Sequence, residues 1–159
     1  MIATLRIDER LIHGQIMVSW LNSLGVTHVV VANDAAAKDN IAQMTLKMSL
    51  EGRAKLMIRD IPGSVKLLND PRCEPIRILV IVNSPADALA LAKGVPSIRE
   101  VNLGNYGHMT RGEGEKVTEI GPNVVFESDV AALRELVSMG LEVFSQKLDS
   151  DPQKSLKNL

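Results

Sequence analysis

The sequence predicts an α/β fold: one doubly wound domain over residues 1–159, with a mostly parallel central sheet of about seven strands and helices on both faces. Short apolar, β-branched runs alternate with longer segments whose apolar residues recur every three or four positions. Several of the short runs are apolar on both faces, as a parallel sheet covered on each side requires. The helical segments also carry start and stop signals, because unpaired N–H and C=O groups at helix ends need partners.

Taken in chain order, the strand candidates are Ile2–Ile7, His28–Ala32, Lys55–Arg59, Ile76–Val82, Arg99–Leu103, Asn123–Phe126 and Leu141–Ser145. After Gly14, the residues Ile16, Met17, Trp20, Leu21 and Leu24 line one helix face, and Gly25 is placed as a left-handed C-terminal cap. Weaker helical patterns cover 35–50, where Met44 and Met48 read as core, and 61–69. Ser84-Pro85-Ala86-Asp87 supplies a capping hydroxyl, a proline at the first helical position and a first-turn carboxylate for a helix ending near Gly94. Ser128 or Asp129 caps a helix carrying Val130, Leu133, Leu136 and Val137 inward, stopped by Gly140. Asp151-Pro152 is expected to open a last short helix, and Gly104–Pro122 is expected to be one long irregular loop.

Composition narrows the function classes. A net charge of −1, a pI near 6.3 and 3% aromatic residues give neither an electrostatic footprint for nucleic acid nor a stacking platform for single strands. No apolar run approaches the roughly 20 residues that cross a bilayer, and the N-terminus lacks a signal-peptide core, so a soluble, cytoplasmic protein is expected. Cys73 reads as an unremarkable reduced thiol, and the three histidines lack ligand spacing, so neither metal nor cofactor is predicted.

In parallel α/β sheets ligands gather beyond the carboxyl ends of the strands. The candidate residues there are Asp8, Arg10, His13, Gly14 and Gln15 after the first strand, Asn33 and Asp34 after the second, Ser84 after the fourth, and Gly104 and Asn105 after the fifth. No G-x-G-x-x-G or Walker lysine motif accompanies them, and Gly104, Gly107, Gly112 and Gly114 lack a strand-turn-helix setting. His13 precedes a helix whose N–H groups and positive end suit a phosphoryl group, and Arg10 offers a rigid fork for its oxygens. Gly14 leaves room for the group, Gln15 is a further donor, and Asp8 is placed to orient the other imidazole nitrogen.

Bland roles compete with each of these. Arg10 also suits a surface pair with Asp8 or Glu9, and Asn33, Asp34 and Ser84 suit helix caps. His28 begins an apolar strand and reads as hydrogen-bonded in the core or at its edge, His108 as an exposed loop residue, and Trp20 as packing.

The string Arg6-Ile7-Asp8-Glu9-Arg10-Leu11-Ile12-His13-Gly14-Gln15, followed by Trp20, closely resembles the start of the mannose/fructose/sorbose family IIB proteins of the bacterial sugar phosphotransferase system. Val30–Asp34 and Asn102-Leu103-Gly104 resemble later segments of the same family. The resemblance implies that His13 accepts a phosphoryl group from a phosphohistidine IIA protein, with Arg10 stabilising it. It further implies transfer to a sugar during uptake through IIC and IID membrane components, at the inner face of the membrane. Where many relatives resemble Asn-x-Gly-Gly-Met, this chain reads Asn102 to His108 as NLGNYGH; Asn105 resembles the hexosamine-type branch, and the sugar stays open. Two other functions stand beside this one: a small-molecule or nucleotide-binding module without covalent chemistry, and a phosphorylation-dependent regulatory protein. A homodimer is left open as well.

Overall fold

Side-chain alternation in the central strands explains the architecture of the computed structural model, which describes residues 1–109 and 116–159. The elements run β1 (Ile2–Asp8), α1 (Gly14–Leu24), β2 (His28–Ala32), α2 (Asp34–Ala37), α3 (Asn40–Leu50), β3 (Lys55–Arg59) and α4 (Ile61–Leu68). They continue β4 (Ile78–Val82), α5 (Pro85–Gly94), β5 (Glu100–Asn105), β6 (Val117–Ile120), β7 (Asn123–Phe126), α6 (Glu127–Ser138), β8 (Glu142–Ser145) and β9 (Lys154–Ser155). The main sheet has seven strands in the order β3-β2-β4-β1-β5-β8-β9, parallel except for the β8–β9 pair.

Val30, Ala32, Val80 and Val82 point to one face, against Ala88 and Leu91 of α5 and Leu133 and Leu136 of α6. Val29, Val31, Leu79 and Ile81 point to the other, against Met17 and Leu21 of α1 and Leu46 and Leu50 of α3. Each such fully buried side chain is worth about 1.5–3 kcal/mol over its exposed state, so β2 and β4 hold the two layers together. No helix among the described residues is long and apolar enough to cross a membrane.

The helix punctuation works largely as the sequence predicts. Gly25 closes α1 at φ 63, Ser84 Oγ accepts from Asp87 N–H at 3.2 Å, and Asp39 divides the 35–50 segment by capping α3. The start of α6 differs in detail: Phe126 is the cap residue, and Asp129, inside the first turn, accepts the Phe126 N–H at 2.9 Å.

Four expectations are corrected. Asn123–Phe126 is a strand, but it pairs antiparallel with β6 in a separate two-stranded hairpin. The main sheet still has seven strands because β9 takes the edge place beside β8 instead. Asp151-Pro152 therefore opens no helix: Asp151 closes a turn onto Leu148 N–H at 3.0 Å, and Lys154 and Ser155 pair with β8 so that Leu156 is buried. The stretch 104–122 is not one irregular loop, since it holds the end of β5 and all of β6; Gly112 and Gly114 lie outside the described residues. Met44 and Met48 are exposed by 65% and 73%, because Leu46 and Leu50 occupy the face of α3 that meets the sheet.

Beyond β1 and β5 the chain leaves in opposite directions, toward β2 and toward β8, so a crevice opens between their carboxyl ends. Asp8 and Asn105 face each other across that point.

Candidate functional site

One face of β1 is polar where an apolar one would be expected: Thr4, Arg6 and Asp8 alternate toward α1, and all three are buried. Asp8, the last strand residue, carries four hydrogen bonds on one carboxylate. Its Oδ1 accepts from Arg10 N–H at 3.0 Å and from Asn105 Nδ2 at 3.3 Å. Its Oδ2 accepts from His13 at 3.1 Å and from the Arg6 guanidinium at 3.4 Å. That fills the usual capacity of an ionised carboxylate and fixes its direction.

An ionised carboxylate can only accept, so His13 meets it as an Nε2–H donor. The neutral ring then holds its lone pair on Nδ1, which has no hydrogen-bond partner among the described residues. His13 is half-buried and stands in extended conformation as the N-cap of α1, with no side-chain hydrogen bond capping that helix and no acidic residue in its first turn. The helix N-terminus beside His13 thus has free donors and a positive end. Gly14 sits at φ +53, a left-handed conformation, with open space where a Cβ would project. Glycine adopts that backbone angle without strain. Leu11, also left-handed at φ 61, makes the turn from β1 with its N–H on Asp8 O at 2.9 Å.

Beneath Asp8 lies Arg6, fully buried. Its guanidinium donates to Gln146 O at 3.2 Å and Lys147 O at 3.1 Å, and lies 5.0 Å from the Trp20 ring centre. Burial lowers its pKa and the adjacent Asp8 raises it in return. Trp20 packs as the sequence predicts and in addition donates Nε1–H to Lys147 O at 3.0 Å. Gly104 belongs to this substructure: a Cβ there would lie 2.3 Å from the Arg6 carbon between the guanidinium nitrogens, so glycine makes the room for that cation.

The structure therefore gathers Asp8, His13, Gly14, Asn105 and, below them, Gly104. The Arg10 side chain is exposed, makes no ion pair among the described residues and anchors the turn only through its backbone, while Gln15 is exposed at the start of α1. Asn33 caps α2 through Ala36 N–H at 2.8 Å, Asp34 accepts from Ile61 N–H at 2.8 Å, and Ser84 caps α5; each is engaged in holding the rim. His28 opens β2, between β3 and β4, with Nδ1 2.7 Å from Thr27 Oγ1, and His108 is exposed. Arg6 and Glu9 are the residues that sequence reasoning missed. A cation at an inward position of a strand was the available signal for Arg6. None existed for Glu9, whose partners are backbone groups some hundred residues away.

Comparison with known proteins places the chain in a family. Residues 2–159 match the family described as PTS system sorbose subfamily IIB component. The chain is 44% identical over 161 residues to a Streptococcus pyogenes protein named probable phosphotransferase enzyme IIB component, covering 100% of this chain and 99% of the relative. It is 34% identical over 157 residues to the N-acetylgalactosamine-specific phosphotransferase enzyme IIB component 2 of Escherichia coli, covering 97% and 95% of the two chains. The crystal structure of the N-acetylgalactosamine-specific IIB component 1 from Escherichia coli superposes with a TM-score of 0.87 at 28% identity, over 97% of this chain and 98% of that one. The chain belongs to the sorbose subfamily of phosphotransferase-system IIB components, and its role is phosphotransfer in sugar uptake.

Proposed function

We propose that His13 carries the phosphoryl group on Nδ1. The observation that supports this most directly is the bond from His13 Nε2–H to the fully hydrogen-bonded Asp8, which leaves Nδ1 as the nucleophilic nitrogen. A phosphohistidine IIA protein would donate: its P–N bond breaks as the P–Nδ1 bond forms. A sugar hydroxyl oxygen then attacks the same phosphorus, the P–Nδ1 bond breaks, and the hydroxyl proton passes to solvent. The uncapped N-terminus of α1 supplies donors for the phosphoryl oxygens, and the exposed Arg10 side chain is within the same turn to add its fork.

In this reading the whole chain, 1–159, works as one IIB domain beside IIC and IID membrane components at the inner face of the membrane. The sugar is of the hexosamine class, as Asn105 and the names of the N-acetylgalactosamine-specific relatives suggest. Incubation with a phosphorylated IIA donor, followed by intact-mass measurement of wild type and His13→Ala, tests the carrier role. One added phosphate, acid-labile and absent from His13→Ala, is the expected result; an unchanged wild-type mass refutes it. A panel of hexoses and N-acetylhexosamines with the membrane partners present then tests the sugar class.

A further inference from the structure

Four residues before His13, Glu9 reaches away from the carrier loop and is bound by a different segment. Its Oε1 accepts the N–H of His108 at 2.8 Å and of Met109 at 3.1 Å, and its Oε2 accepts the N–H of Gly107 at 3.2 Å. Three successive backbone donors on one carboxylate form an anion-binding nest. Glu9 pairs with no cation among the described residues, so these amides are its partners.

The nest is preset by the fold around it. Gly107 stands at φ +92, and a Cβ there would lie 2.0 Å from Val124 O, so the turn fits against β7 only as glycine. Tyr106 N–H donates to Asn123 Oδ1 at 2.9 Å and Val124 N–H to Tyr106 O at 3.1 Å, fixing the residue before the turn to the hairpin. On the other side, Glu9 N–H donates to Asn105 O at 2.9 Å. Glu9 thus ties the His13 loop to the end of β5 through its backbone and to the 107–109 turn through its carboxylate. The turn presents His108 and Met109 to solvent, Met109 with 64% of its surface exposed, beside the loop that carries His13.

We infer that Glu9 is a positioning residue: its carboxylate latches the 107–109 turn beside the carrier loop, so that the turn forms a fixed part of the surface on which the phosphohistidine donor docks. This rests on His13 being the carrier. A donor has to cover the surroundings of His13 to bring its own phosphohistidine to Nδ1. A turn already held in place spares that encounter the ordering of a loose segment. The latch therefore acts on donor binding and leaves the chemical step alone.

The test uses the full chain as wild type, Glu9→Ala and Glu9→Gln, the last keeping the shape and one accepting oxygen. In Glu9→Ala, hydrogen exchange at the amides of 107–109 should quicken by about tenfold or more, with exchange in α5 unchanged. Initial rates of His13 phosphorylation at varied donor concentration should show KM raised by about fivefold or more and kcat within about twofold, with Glu9→Gln between the two forms. Unchanged exchange at 107–109 overturns the latch. Quickened exchange with KM unmoved, or a loss confined to kcat, overturns the docking role. If Glu9→Ala does not fold, Glu9→Gln carries the same comparison in the same directions. A wild type that takes no phosphate would remove the carrier reading and the docking role with it, while the exchange measurement would still decide the latch.

Discussion

Replacing Arg6 with methionine isolates the buried cation, because methionine keeps an apolar stem and removes the guanidinium, including its place 5.0 Å from the Trp20 ring centre. Three hydrogen bonds go with it: the 3.4 Å contact to Asp8 and the donors to Gln146 O and Lys147 O at 3.2 and 3.1 Å. Breaking one side of a buried pair costs about 3–5 kcal/mol, chiefly from the charge left behind, and orphaned carbonyls add about 1–3 kcal/mol each where water does not reach them. The Asp8 carboxylate retains three other donors, which reduces its share. The expected loss is therefore about 3–5 kcal/mol rather than the larger sum. Urea unfolding followed by Trp20 fluorescence gives the value from the midpoint, with the slope checked for constancy. The double variant Arg6→Met/Asp8→Asn should lose less than the sum of the singles, with a coupling of about 1–3 kcal/mol. A loss below about 1 kcal/mol for Arg6→Met, or strict additivity, refutes the view of Arg6 as the electrostatic support of Asp8.

Gly104→Ala should act through the same cation: its Cβ would displace the Arg6 guanidinium, and a destabilisation of about 1–3 kcal/mol is expected by the same urea titration, largely abolished in an Arg6→Met background. Met44→Ser and Met48→Ser should change stability by less than about 0.5 kcal/mol, since both side chains are exposed; a larger loss in thermal unfolding would return them to the core. Burial, then the charge of Asp34, raises the pKa of Asp87, so folding penalises its ionised form. That penalty is fully present above the folded pKa and fades as pH falls through it toward the unfolded value, so Asp87→Asn should gain on wild type more at pH 7 than at pH 4. Parallel pH–stability curves for the two proteins would contradict this.

Local chemistry wrote much of this protein plainly. The doubly apolar runs of β2 and β4 predict buried parallel strands, Ser84-Pro85 and Gly25 mark helix ends through backbone groups that must be paired nearby, and the string from Arg6 to Gln15 points to His13. Such signals are readable because the groups that satisfy them lie within a few residues. What needed tertiary structure were choices between partners distant in sequence. Asn123–Phe126 has strand character in either sheet, and its place with β6 follows from a hairpin that closes locally; the vacant edge beside β8 goes to Lys154 and Ser155. The face of α3 that meets the sheet was settled by Leu46 and Leu50, leaving Met44 and Met48 outside. At the site, the sequence by itself points to His13. Only the fold decided which of its nitrogens is held, because Asp8 is aimed by Arg6 from below and by Asn105 from the neighbouring strand. A carboxylate's direction is set by donors converging in space, and no spacing along one chain encodes that.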